Sequence, residues 1–349
     1  MARSGLRSLL IALAVIPWLL CSTESGVART VDAAAIVTFD ILGAVEIYPQ
    51  SINPGGVITG YFLDSSSERH AFVRTVDGAV TIFDAPGATS TMALGINPGG
   101  TITGIYGDVN FVGHGFALDK NGAFTTFDAP AAGGEFPVAI AGRSINAAGA
   151  ITGTYSDADR ITHGFLRTID GNIITIDVAG ASSNGTNPSS ITRAGIIAGS
   201  YYDANNATHG FLRTANGTIT PFDVPGSGSL GTVAVSINPA RVITGYYYDT
   251  SGIPHGFVRT ADGTFTTFGA PAAFSTFPQS INPAGAVTGY YYDVNGVAHG
   301  FMRTADGTLI TFDAPGALST FAVSINSAGT VTGYYYDANG LLHGFLLPT

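Results

Sequence analysis

A chain of 349 residues with 47 glycines, 11% charged residues and a formal net charge of −10 is too apolar for disorder, which needs low hydrophobicity and high net charge. Its one lysine is Lys120, and no basic face is visible, which argues against a nucleic-acid partner and against an anionic membrane surface. Abundant Gly, Thr, Tyr and Phe with few Glu and Lys predict strands joined by tight turns, over a length that fits one large all-β domain.

The first predicted element is a targeting segment. Arg3 and Arg7 precede LLIALAVIPWLL at residues 9–20, an apolar run short for a bilayer span and suited to a signal peptide. Gly26 and Ala28 put small residues at −3 and −1, so cleavage is expected after Ala28, making residues 1–28 a signal peptide. The rival is lipidation of Cys21, where the preceding Leu20 is not small. Cleavage at Ala28 would remove the one cysteine, leaving an exported chain without disulfides that rests on core burial. Residues 29–34 read as a short linker and 35–349 as the folded domain.

Residues 35–50, AIVTFDILGAVEIYPQ, contain a strand with no partner beside it in sequence. A repeat then begins at Ser51 and recurs at Gly95, Ser144, Ser190, Ser236, Ser280 and Ser324, with spacings of 44–49 residues. Each copy predicts four strands. The first ends at Ser-Ile-Asn before a turn, and the second, AVTGYYY in the sixth copy, runs to a loop between an Asp and a His. The third, HGFMRT, meets Ala-Asp-Gly, a strong hairpin signal. The fourth, TLITFD, leads through a Pro/Gly loop to the next copy. Four antiparallel strands repeated radially at this period form a β-propeller blade. The seventh copy stops after its third strand, so the orphan N-terminal strand is expected to complete it and close a seven-bladed ring.

Two columns of the second strand stand out. Two residues after its glycine lie Phe62, Tyr106, Tyr155, Tyr201, Tyr247, Tyr291 and Tyr335, and the next position adds Tyr202, Tyr248, Tyr292 and Tyr336. Packing between blades is the expected role, and a sugar-stacking platform the alternative. Each histidine belongs to the repeat, and each follows an aspartate by six residues: Asp64 and His70, Asp108 and His114, Asp157 and His163, Asp203 and His209, Asp249 and His255, Asp293 and His299, Asp337 and His343. Catalysis needs one asymmetric constellation, so seven copies predict a structural hairpin pair, tied to the adjacent blade. Asp-Val-Asn-Gly (293–296) and Asp-Ala-Asn-Gly (337–340) echo calcium loops without the glutamate of an EF-hand. No cofactor and no metal are expected, with calcium as the minor alternative.

The run Ile-Asn-x-x-Gly-x-x-x-Gly followed by His-(Gly/Ala)-Phe resembles the extracellular His-Ala-Phe, or HAF, repeat family. His70-Ala71-Phe72 carries the signature literally and six copies read His-Gly-Phe. The resemblance covers about residues 35–349 and implies an exported bacterial repeat protein, with no catalytic residues to carry over.

Function should then sit where the repeat breaks. Arg74, Arg167, Arg213, Arg259 and Arg303 follow His-Gly-Phe in five copies and are expected to pair with the fourth-strand aspartates Asp40, Asp84, Asp128, Asp177, Asp223 and Asp313, for which Gly269 is the exception. The loop from Asp128 to Ser144 is the longest between blades. Glu46, Glu68 and Glu135, the only glutamates after residue 28, map to loops of one face and are the catalytic candidates if any exist. Arg69, Arg143 and Arg160 map to the same face as binding candidates. The reading is a monomeric, secreted or periplasmic, non-catalytic binding or surface module presenting that face to a polysaccharide or protein. A secreted carbohydrate-active hydrolase or lyase using paired loop carboxylates is the alternative.

Overall fold

The structure, a computed structural model, describes residues 29–129 and 140–349; the expected signal peptide, Cys21 and Glu135 lie outside them. Each repeat becomes a hairpin series because its turn residues have fixed tasks. In blade 1 the Asn53 side chain accepts the Val57 N–H at 3.0 Å, and Gly56 supplies the positive φ, 79°, that the turn requires. The Asp64 carboxylate accepts the N–H groups of Ser66 and Glu68 at 2.8 and 2.9 Å and so shapes the next hairpin. Four strands result: Ala44–Ile52, Ile58–Asp64, Arg69–Arg74 and Val80–Phe83.

Seven such sheets form a seven-bladed β-propeller, with almost no helix among the described residues. The last blade holds Ser319–Ile325, Val331–Tyr336 and Leu342–Leu347, and its fourth strand is the N-terminal Val37–Phe39. Val37, Thr38 and Phe39 lie opposite Leu346, Phe345 and Gly344, antiparallel, as ring closure requires. Arg29–Thr30, in the stretch read as a linker, adds a short parallel strand to the fourth strand of blade 6, Leu309–Phe312.

The core lies between blades. One cluster joins Phe39 and Ile41 to Ile47, Ile52, Ile58, Phe62 and Phe72 of blade 1, and each blade's His-Gly-Phe phenylalanine, such as Phe211 or Phe257, is fully buried. The first strands of successive blades touch in a closed circuit around the axis. Ser-Ile-Asn laces that circuit. Ser51, Ser144, Ser190, Ser236, Ser280 and Ser324 each accept the isoleucine N–H of the following blade at 3.3–3.5 Å. Buried asparagines also donate to the next blade's turn carbonyl, as Asn282 does to Asn326 at 3.1 Å.

Two expectations about charge are corrected. Arg74, Arg167, Arg259 and Arg303 do not pair with the fourth-strand aspartates; each lies over a fourth-strand phenylalanine of the preceding blade, Phe39, Phe127, Phe222 and Phe268, at 4.8–5.1 Å. Register is the reason. Arg74 pairs with Val80 at the start of the fourth strand, whereas Asp84 follows Phe83, the partner of Ala71, at its other end. Nor does the histidine tie its hairpin to the neighbouring blade: its partners lie within its own sheet.

Candidate functional site: the channel and its hairpin mouth

In six blades the imidazole sits between two carboxylates. Its Nδ1 meets the fourth-strand aspartate fourteen residues on, at 2.8 Å for His70 and Asp84 and 2.7 Å for His114 and Asp128. In the last blade the partner is Asp40, at 2.6 Å, so the pair also fastens the closing strand. Nε2 faces the hairpin aspartate at 3.1–3.9 Å. The aromatic two residues after the glycine lies opposite the histidine and packs on it, with ring centroids 4.9–5.6 Å apart. Blade 5 has Gly269 in place of the second aspartate, and there His255 keeps Asp249 alone, at 3.1 Å.

For His163 and His209, burial pulls the imidazole pKa down, but the bonds and charges of Asp177 with Asp157, and of Asp223 with Asp203, outweigh it. Both pKa values stand above the ordinary 6.5. Asp157 and Asp203 lie below 3.8, held chiefly by the N–H groups of Ile161 and Ala207. A raised histidine stabilises the fold below about pH 6.5 and loses that contribution as pH rises through its folded value; a lowered aspartate stabilises above about pH 4 and loses it on acidification. The melting temperature should therefore fall as pH is raised above 6.5, and should do so less steeply in a His163→Gln/His209→Gln variant. A pH scan giving parallel curves for the two proteins would remove these pairs from the account.

The sequence-predicted site residues are not gathered on one loop face. Glu46 lies within the strand Ala44–Ile52, not in a loop, and accepts the Tyr48 hydroxyl at 2.6 Å. Burial, then this carboxylate, pushes the Tyr48 hydroxyl far above its ordinary range. Tyr61, stacked on Tyr48, has its pKa raised by burial, which the Arg69 charge opposes and the Glu46 charge reinforces. Glu68 is exposed in the blade 1 hairpin, where Asp64, Glu68 and His70 each offer one possible metal-ligating atom within 4.8 Å. Arg160 is exposed in the blade 3 hairpin at positive φ, 64°. Arg143 is elsewhere: it belongs to the strand Ile140–Ile145 and lines the central channel.

That channel, about 320 Å³, follows from a β-bulge in every first strand. The ladder skips one residue before the repeat's start, so that Gln50, Leu94, Arg143, Ser189, Val235, Gln279 and Val323 are the unpaired bulge residues. All seven line the channel. A bulge re-aims its extra residue out of the ladder, so a variable position of the repeat is presented to the axis. Sequence reasoning missed this set, although its signal is plain: the residue before Ser-Ile-Asn changes in a repeat that otherwise holds.

Toward the Asp-bearing hairpins the surroundings are one-sided. Strand alternation sends the residues one and three after the glycine away from the histidine and toward the next blade. Tyr246, Phe277, Tyr290, Phe321, Tyr334, Tyr48 and Tyr61 form an unbroken arc across blades 5, 6, 7 and 1, with successive ring centroids 5.0–5.4 Å apart. Burial drives the Tyr290 hydroxyl up to about 12. Tyr248, Tyr292 and Tyr336, half-buried beside the hairpin aspartates, pack edge-on against that arc. The matching positions of blades 2 and 3 hold Met92, Ile105, Ala141 and Thr154.

No family model matches the chain, and no curated protein does. Among solved structures it resembles puromycin hydrolase, at 12% identity and TM-score 0.55 over 86% of this chain and 52% of that one. It also resembles TolB from Acinetobacter baumannii, at 12% and 0.50 over 84% and 80%. The Aleuria aurantia lectin in complex with Fucα1-6GlcNAc matches at 11% and 0.43 over 89% and 93%. At these identities the likenesses to puromycin hydrolase and TolB establish the fold alone. No helix among the described residues is long and apolar enough to cross a membrane.

Proposed function

We propose that the chain is an exported, non-catalytic binding module that receives a polysaccharide at the hairpin end of its channel. The observation that carries this reading is the arc of blades 5, 6, 7 and 1, bordered by the half-buried Tyr248, Tyr292 and Tyr336. A tyrosine joins a rigid apolar ring to a polar tip, which suits a sugar's C–H face and its hydroxyls. Repetition on successive blades would offer successive residues of one glycan the same contact. The interblade packing expected of these rings accounts for Tyr246, Tyr290 and Tyr334 at the inner position, leaving the outer three for a ligand. The Asp–His pairs are architecture in this reading. We also assign the chain to the HAF-repeat proteins, on His70-Ala71-Phe72 and the six His-Gly-Phe copies.

Retention on immobilised starch, xylan, pectin and cellulose, read beside release of reducing ends, tests the proposal. Expected are retention on at least one polymer, binding weaker by about tenfold in Tyr292→Ala/Tyr336→Ala, and no sugar release. A protein retained by none of them would overturn the glycan reading, and sugar release that is lost in Glu46→Gln would replace it with a hydrolase.

A further inference from the structure

We infer that the central channel is a binding site for a small oxyanion (a carboxylate, phosphate or sulfate group), with Arg143 as its anchor. The channel wall is rich in donors. Arg143 opens to the channel, and among the described residues no hydrogen bond or ion pair engages its guanidinium. Gln50 and Gln279 also line the channel, whereas among the described residues no aspartate or glutamate does. An arginine in a structural role is normally matched to a carboxylate, a carbonyl or an aromatic face; the repeat arginines Arg74, Arg167, Arg259 and Arg303 follow that rule and Arg143 does not. The surrounding walls hold its pKa below the ordinary range, and no acidic group among the described residues offsets them.

The serine ring completes the case. Each of the six hydroxyl oxygens is occupied as acceptor by the next blade's isoleucine N–H. Each hydroxyl keeps its O–H to donate, beside a second lone pair, and all six serines line the channel. The seventh position is Gly95, next to blade 3. A Cβ there would meet the Arg143 carbonyl oxygen at 3.1 Å, so the gap in the ring coincides with the place where Arg143 enters. One fixed cation facing a ring of hydroxyls able to donate, with no competing carboxylate among the described residues, is the chemistry of an oxyanion receptor. The volume, about 320 Å³, is at the small end of ligand pockets and admits one such group or an acidic sugar. None of those tyrosines is among the residues that line the channel, so this site stands whether or not they bind a glycan.

Calorimetric titration of the full-length protein with sodium phosphate, sodium sulfate and sodium galacturonate, at ionic strength held with chloride, tests the site. Expected is one equivalent of at least one probe, bound at least tenfold more weakly by Arg143→Gln and partly restored by Arg143→Lys. Ser236→Ala should weaken binding several-fold, with a melting temperature lower only by the few degrees that the lost Ile281 N–H bond costs. Phosphate or sulfate binding identifies a free inorganic ion as the source; galacturonate binding alone identifies an acidic sugar. If no probe binds the native protein, or if Arg143→Gln binds as the native protein does, the assignment is wrong.

Discussion

Replacing Phe39 with alanine should lower the melting temperature by roughly 6–15 °C, although the residue lies near the start of the described chain. Phe39 is 8% exposed, forms the end of the strand that closes the ring, packs against Phe72 at 6.3 Å and carries Arg74 over its face at 4.9 Å. Truncating a buried phenylalanine costs about 3–5 kcal/mol, and each kcal/mol lowers the melting point of a large domain by about 2–3 °C. The loss should be directional. Hydrogen exchange at Leu342–Leu347 should accelerate most, because those amides pair with the closing strand, and the adjoining blade 1 should follow. Exchange that rises evenly over all seven blades, or a melting point that does not move, would mean that ring closure contributes little to stability.

The second large effect concerns a glycine. In every blade the second strand carries Thr-Gly or Ala-Gly, and at Gly245 an added Cβ would fall well inside the van der Waals radius of the Val233 carbonyl oxygen, and 3.0 Å from both Ala234 Cα and the Phe257 ring. The obstruction is backbone, so no side-chain rotation relieves it. The cause is the bulge that turns Val235 toward the channel, between Ala234 and Ser236. Gly245→Ala should cost about 3–5 kcal/mol or prevent folding, at the severe end of overpacking. An exposed turn glycine with open space around it serves as the control: Gly296→Ala, at φ 80°, should cost about 1 kcal/mol. Soluble yield and denaturant midpoints compare the two, and equal losses would contradict a bulge-imposed glycine.

Much of this architecture was legible in the residues because a propeller writes its fold as a period. The orphan strand before Ser51 and the missing fourth strand after Leu347 need each other, and Val37–Phe39 does pair with Leu342–Leu347. The histidine was legible only in part. Asp293, six residues before His299, drew the reading toward the hairpin, while Asp313, fourteen residues on, makes the shorter contact at 3.0 Å. A count of intervals finds both aspartates; only register tells which ring nitrogen each one meets. The arginine pairing failed for the same reason, since Arg303 and Asp313 stand at opposite ends of the fourth strand. Arg143 was placed on a loop face because a bulge cannot be read from one strand alone. It exists only in the mismatch between the first strand and the second.

The proposed recognition surface is distinct from the repeated framework, and one paired measurement tests that division most directly. Melting temperature and polysaccharide retention are to be measured together for His299→Ala and for Tyr292→Ala/Tyr336→Ala. His299 holds Asp313 at 3.0 Å and stacks on Tyr291 at 5.1 Å, so its loss should lower the melting temperature and leave retention intact. The tyrosine variant should do the reverse, keeping most of its stability and losing retention by about tenfold. A histidine variant that melts normally but no longer binds would contradict the account and return the Asp–His pair to the functional site.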